Sequence, residues 1–280
     1  MKNIHQLLTT LRGPARFYFV RHGESVGNTK GKMQGHLDSP LTETGRAQAR
    51  RTGRWFADNG ITVGRVFTSP LLRATETADI IARCGDYPLP EPLESAIELH
   101  TGIFTDLSFQ EIQEKYPAEY AEFVARSWES VPEAESIASL ITRSLTTWET
   151  MVDAVNSLLD TPESGESPRA PGTPENPAGA PRADTPTVLT VTHGGMLQWL
   201  LKVNFGATLA APPPWMPLIL ISNAAVFAFN ARPVRSHDRQ NRPLSWYYGQ
   251  WSLMNFIPGS AANAAVDAPE QFHTDNQRLR

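Results

Sequence analysis

The 280-residue sequence predicts an α/β protein whose central sheet is covered by helices on both faces. Three observations carry this. Short runs of aromatic and β-branched residues occur at Arg16 to Val20 and Thr187 to Thr192. Each opens into a polar, glycine-containing stretch and then a helical pattern, and strands and helices go on alternating between them.

Arg16 to Val20 reads as the first central strand, entering a functional loop. From Thr42 to Asp58, Ala47, Trp55 and Phe56 give a partly apolar face among good helix formers. Thr42, followed by Gly45 and Gln48, marks the helix start, and Asn59-Gly60 the end. Val63 to Thr68 makes a short strand. Pro70 then begins a helix that continues through Ile80 and Ile81, because the N–H that proline lacks is not needed in a first turn. Phe109 to Tyr116, Ala118 to Arg126 and Ser136 to Leu159 read as helices separated by Pro117 and Pro132.

Asp160 to Pro186 is dominated by Pro, Gly, Ser, Ala and Glu, so ordering it would cost chain entropy without compensating burial. It reads as a disordered loop. Thr187 to Thr192 follows as a strand leading through Gly194 and Gly195 into an apolar helix, Met196 to Phe205. Further strands are expected at Leu218 to Ser222 and Ala225 to Asn230, with an edge strand at Trp246 to Phe256. The expected organisation is one domain over 1–259, containing the 160–186 loop, and a flexible tail over 260–280.

Composition narrows the function. With 25 basic against 29 acidic side chains, nothing favours a chain-wide attraction to nucleic acid or anionic lipid, so an anionic substrate needs a local basic pocket. Cys84 is the only cysteine, which excludes an internal disulfide and a zinc site built on several thiolates; it reads as a small buried residue on a helix. The apolar stretches fall far short of the roughly 20 residues that span a bilayer, and the first fifteen residues show no export signal. A cytoplasmic protein with no membrane or nucleic-acid partner is expected.

The chemistry concentrates at strand-to-helix transitions. Arg21-His22-Gly23-Glu24-Ser25, followed by Asn28, stands just beyond the first strand, where ligands of open α/β sheets bind. A histidine there can turn one ring nitrogen to phosphorus while an acceptor fixes its other N–H. Arg21 supplies a planar fork of donors for phosphate oxygens, and Gly23 permits close backbone approach. Arg73 in Ser69-Pro70-Leu71-Leu72-Arg73-Ala74 and His193 in Thr192-His193-Gly194-Gly195 occupy matching transitions. If those strands are neighbours, two arginines and two histidines converge on one pocket able to hold a phosphoryl group.

These stretches, with Asp38-Ser39-Pro40-Leu41-Thr42, Gln48-Ala49 and Thr77-Ala78, resemble the histidine phosphatase superfamily, also called the phosphoglycerate mutase-like family. The resemblance spans roughly residues 16 to 230. It implies a three-layer α/β/α sandwich with a mostly parallel sheet, and a phosphomonoester hydrolase that works through a phosphohistidine on His22; no cofactor or metal is expected. It makes Arg21, Asn28, Arg73 and His193 the phosphate-binding residues, with His22, Glu98 and His193 catalytic. Glu98 matches the family's general acid best. The Glu-Gly pair often found after that acid is missing from Phe104 to Phe109, which keeps Glu94, Asp106 and Glu111 in view.

Two other departures matter. Ala134 in Pro132-Glu133-Ala134-Glu135-Ser136 stands where relatives carry glycine, and should alter a loop beside the substrate without removing chemistry. Arg143 fits an arginine common after that motif but reads more simply as an exposed helix charge. Gln34-Gly35 resembles a loop over the phosphate pocket. His36, His100, His237 and His273 share no metal-ligand spacing, and Trp246, Tyr247, Tyr248 and Trp251 read as sheet packing. The alternatives are a phosphoglycerate mutase, for which no basic loop with tyrosine and glycine is present, and a weakly active module that binds a phosphorylated ligand. The substrate expected is a small phosphomonoester; its identity and the oligomeric state are not written in the sequence.

Overall fold

The computed structural model describes residues 2–126, 128–160, 185–209, 221–238, 240 and 242–259. In chain order the elements are α1 (Ile4–Leu8), β1 (Ala15–Arg21), α2 (Val26–Thr29), α3 (Glu43–Asp58), β2 (Arg65–Thr68), α4 (Leu72–Gly85) and β3 (Glu91–Pro92). They continue with α5 (Phe109–Lys115), α6 (Pro117–Arg126), α7 (Ile137–Asp160), β4 (Thr187–Thr192), α8 (Gly194–Asn204), β5 (Val226–His237) and β6 (Pro243–Phe256).

The six strands form one sheet in the order β3-β2-β4-β1-β5-β6. β3, β2, β4 and β1 run parallel, while β5 and β6 are antiparallel additions at one edge. Period-two alternation sorts the side chains of β1. Phe17 and Phe19 join α1, α7 and α8 in the larger core, and Tyr18 and Val20 join α3 and α4 on the opposite face. Trp148 of α7 anchors the larger core; it is fully buried, meets Phe17 and Phe19 edge-on, and donates its indole N–H to the Leu200 carbonyl at 3.2 Å. A satellite cluster of Phe104, Ile112 and Val131 holds the α5–α6 segment together. The three-layer sandwich expected from the sequence is the fold observed.

Most expected boundaries hold to within one or two residues, with informative exceptions. α4 begins at Leu72, so Pro70 lies ahead of the helix; its first turn receives an acceptor from afar, as the Asp38 carboxylate takes the Leu72 N–H at 2.9 Å. Pro117 does not separate helices but opens α6, where its missing N–H costs nothing. Residues 218–220 of the expected Leu218 to Ser222 strand lie outside the described residues, and Ile221 and Ser222 are not in a strand. The chain turns there instead: Ala224 has φ +56° and its N–H meets the His22 carbonyl. Asp160 belongs to α7 rather than to a loop, and Pro186 accepts from the Arg16 N–H at 2.9 Å. The expected loop otherwise falls on 161–184 and the expected tail on 260–280, outside the described residues. Cys84 is half-buried on α4, close to Gly53 of α3.

Candidate active site

The strand order sets the site. β4 lies between β1 and β2, and all three run parallel, so the residues just past their carboxyl ends share one edge. Arg21 pairs in register with Thr192, and Thr68 with Val191. His22, His193 and Ser69 therefore emerge side by side. The two imidazole centroids are 5.1 Å apart, and His193 Nε2 lies 2.6 Å from Ser69 Oγ.

His22 is only 2 % exposed. Its Nδ1 meets the Gly23 carbonyl at 2.7 Å, which selects the tautomer protonated at Nδ1 and leaves the Nε2 lone pair available to an electrophile. Burial, then the charges of Arg21 and Arg73, hold its pKa well below the usual histidine range, against a smaller upward pull from the Gly23 carbonyl. The loop carrying it is pressed onto α3. A Cβ on Gly45 would stand 2.0 Å from the Glu24 carbonyl oxygen, and one on Gly23 would stand 2.4 Å from that of Gly45, so both positions require glycine for close approach. Thr42 and Gln48 complete the seat by bonding to Glu24.

Arg73 is almost fully buried and donates to the Leu37 and Gly35 carbonyls at 2.7 and 2.9 Å, which ties the 35–37 loop over the pocket. Arg21 donates to the Ile221 carbonyl. Asn28 closes the first turn of α2 in a reciprocal cap with Ser25, and its Oδ1 also accepts from Asn223. Gln34 accepts from Ser25 Oγ at 2.9 Å.

Glu98 sits at the N-terminus of α8. Its carboxylate accepts from the Leu99, Met196 and Gly195 N–H groups at 2.8, 3.0 and 3.3 Å. The other carboxylates considered stand apart: Asp106 pairs with Lys32 at 3.2 Å, Glu111 caps α5 through Ser108, and Glu94 opens a short 3-10 turn. A cavity of about 200 Å³ joins Arg21, His22, Asn28, Arg73 and Glu98 to Gln34, Lys32, Thr101 and Trp128. His193 lies behind this cavity rather than on its wall.

The sequence reading missed Ser69, the partner of His193, and the wall residues Lys32, Thr101 and Trp128. Ser69 was legible in principle, since the residue after β2 must stand beside the residue after β4 once those strands are paired. Arg143 is not an exposed charge. Its side chain is 18 % exposed and bonds to Glu135 and to the backbone of residues 95–98. Ala134 lies in the loop opposite Thr101, a pocket-wall residue. His36 and His100 stack edge to face at 5.0 Å, and His36 Nε2 meets the Glu98 carbonyl. Among the described residues no three His, Cys, Asp or Glu side chains gather as a metal site, and no helix is long and apolar enough to cross a membrane. Of the four aromatics read as sheet packing, Trp251 and Tyr247 pack against the large core, away from the cavity, whereas Trp246 and Tyr248 are exposed.

The sequence model of the histidine phosphatase superfamily (branch 1) matches residues 17–158, just over half of the chain. The chain belongs to the histidine phosphatase superfamily. Among curated relatives, it is 46% identical over 87 residues to a probable phosphoglycerate mutase of Photorhabdus laumondii, covering 31% of this chain and 39% of the relative. It is 33% identical over 153 residues to the corresponding Serratia proteamaculans protein, covering 53% of this chain and 65% of the relative. The chain thus spans less than two thirds of the length of either. Solved histidine phosphatase folds superpose over most of the molecule. Bacillus stearothermophilus YhfR gives a TM-score of 0.58 at 24% identity, covering 87% of this chain and 98% of that one. A mycobacterial glucosyl-3-phosphoglycerate phosphatase in complex with VO3 gives 0.59 at 22%, covering 86% and 99%.

The two buried histidines make stability depend on pH. Burial, followed by the charges of Arg73, His22, Arg21 and His36, also holds His193 well below the ordinary histidine value. For both residues the folded pKa is below the unfolded value of about 6.5. The unfolded chain therefore binds more protons as pH falls, and stability is fully present above about pH 6.5 and is lost progressively below it, by up to about 1.4 kcal/mol per pH unit for each histidine. Urea midpoints measured between pH 7.5 and 5.5 should fall below pH 6.5, with a shallower fall in His193→Gln.

Proposed function

We propose that the chain is a phosphomonoester hydrolase that passes a phosphoryl group through His22. The observation that carries this concerns orphaned nitrogens, with His193 taken in the tautomer whose Nε2 accepts from Ser69 Oγ and whose Nδ1 carries the proton. Arg21 Nε, Arg73 Nε and His193 Nδ1 are three of the six buried side-chain nitrogen and oxygen atoms without a hydrogen-bond partner among the described residues, and all three belong to residues that surround His22. Leaving buried polar groups unpaired costs about 1–3 kcal/mol each, so their convergence beside a nucleophile fits a site completed by an anion. A phosphoryl group with three nonbridging oxygens supplies those acceptors.

In the reaction, the substrate phosphorus lines up with His22 Nε2, and the two guanidinium groups neutralise its oxygens. Because burial and those charges keep His22 neutral, its lone pair is available at physiological pH. The Nε2–P bond forms as the P–O bond to the leaving group breaks, and Glu98, entering this step as the carboxylic acid, gives its proton to the departing oxygen. Water then attacks the phosphohistidine, Glu98 takes a proton back from it, and inorganic phosphate leaves with His22 restored.

The curated relatives named as probable phosphoglycerate mutases support a second reading, in which the phosphoryl group returns to an acid rather than to water. Beyond the cradle, Lys32 is the only cationic side chain on the described cavity wall apart from the two arginines, and Asp106 already pairs with it. That leaves little to retain a charged acid between half-reactions and favours hydrolysis. Release of inorganic phosphate from 3-phosphoglycerate and from a generic aryl phosphate, measured beside formation of 2-phosphoglycerate, decides between them. Phosphate release should dominate; faster formation of 2-phosphoglycerate overturns the hydrolase, and no His22-dependent turnover of either kind overturns the enzyme.

A further inference from the structure

Arg143 points from α7 toward the segment that delivers Glu98. Its guanidinium has five N–H donors, and each has an acceptor. Nε and Nη2 reach the two Glu135 oxygens at 2.7 and 2.6 Å. Nη1 donates to the Ser95 and Ile97 carbonyls, both at 2.9 Å, and Nη2 makes a longer contact of 3.4 Å with the Glu98 carbonyl itself. The Glu135 side chain is 11 % exposed and accepts from Ser139 Oγ at 2.6 Å, while the Glu135 backbone N–H donates to the His100 carbonyl at 3.0 Å. Thr147 of α7 adds a bond to Ser95 Oγ at 2.9 Å.

Glu98 is thereby gripped from two sides. Its backbone is fastened to α7 through Arg143, and its carboxyl group rests on the first N–H groups of α8. We infer that Arg143, fixed by Glu135, is a positioning residue for the proton donor: it sets where the Glu98 carboxyl stands relative to the leaving oxygen. This rests on the reading of Glu98 as the general acid. A planar fork that spans a carboxylate and three carbonyls in fixed directions does this; a lysine ammonium, with three donors and no fork, does not. Displacing a reacting group by about 1 Å is enough to cost on the order of 10²-fold in rate.

The test uses leaving groups that differ in their need for a proton. In the full-length protein, Glu98→Gln, Arg143→Lys and Glu135→Gln are compared with the unaltered chain on phenyl phosphate and on 2,4-dinitrophenyl phosphate. The readout is kcat/KM, which reports phosphoryl transfer to His22 and is blind to the later hydrolysis of the phosphohistidine. Phenolate leaves poorly without a proton, whereas dinitrophenolate leaves without help. Arg143→Lys and Glu135→Gln are each expected to lower kcat/KM for phenyl phosphate on the order of 10²-fold while leaving that for the dinitrophenyl ester nearly unchanged. Glu98→Gln should show the same selectivity more strongly. If Glu98→Gln affects both esters alike, the acid assignment falls. If Glu98→Gln is selective but both clamp variants lose the two esters equally, or lose neither, Arg143 does not position the acid and the inference is overturned. Glu135→Gln keeps the size of the side chain and the Ser139 contact, so it carries the test if Arg143→Lys fails to fold.

Discussion

Replacing His22 by alanine is expected to lower turnover of an aryl phosphate on the order of 10⁴- to 10⁶-fold, as removal of a covalent nucleophile does elsewhere. The loss should appear in kcat and kcat/KM together, because the proposed bond from the imidazole to phosphorus would form only as the reaction proceeds. Binding of vanadate or phosphate should survive, since the orphaned nitrogens belong to Arg21, Arg73 and His193 and not to His22. Acid quenching during turnover with a ³²P-labelled substrate should trap label on the unaltered chain and none on His22→Ala. A variant that kept full turnover would remove His22 from the chemistry altogether.

Arg73→Ala should produce a double loss, in rate and in stability. One donor taken from an electrostatic cradle costs about 10²- to 10³-fold in kcat. Arg73 also holds the Gly35 and Leu37 carbonyls over the pocket, and removing it leaves both without a partner at a cost of about 1–3 kcal/mol. Both effects are measurable on one preparation, by aryl phosphate kinetics and by urea denaturation. Arg73→Lys should recover charge but not the fork, and so regain less rate than stability. If Arg73→Ala left kcat intact and changed only the unfolding midpoint, the residue would be a strut for the loop and not a phosphate ligand.

Local pattern made the cradle legible. β1, β2 and β4 announce themselves by β-branched and aromatic runs, each ends at a polar residue, and parallel pairing then brings those ends together. Thr42 caps α3 by accepting from Gly45, as its sequence suggests. What stayed hidden depends on which way a helix or loop faces. Arg143 looks like any charge on a long helix until α7 is packed with that face against residues 95–98. Lys32, Thr101 and Trp128 reach the cavity from loops whose approach no periodicity encodes. His193 was read as a wall of the pocket, yet hydrogen bonding to Ser69 and full burial set it one layer back, with only its unpaired Nδ1 left to offer.

The place of β4 in the sheet has a consequence for how the protein is made. It is the middle plank between β1 and β2, yet more than a hundred residues separate Thr68 from Thr187. During synthesis at about 5–20 residues per second, β1 and β2 must wait on the order of ten seconds with their facing edges unzipped. Such naked edges are templates for pairing with foreign chains until β4 fills the gap. His193 therefore reaches the edge beside His22 only once β4 has taken its place between β1 and β2, with β5 and β6 still to follow.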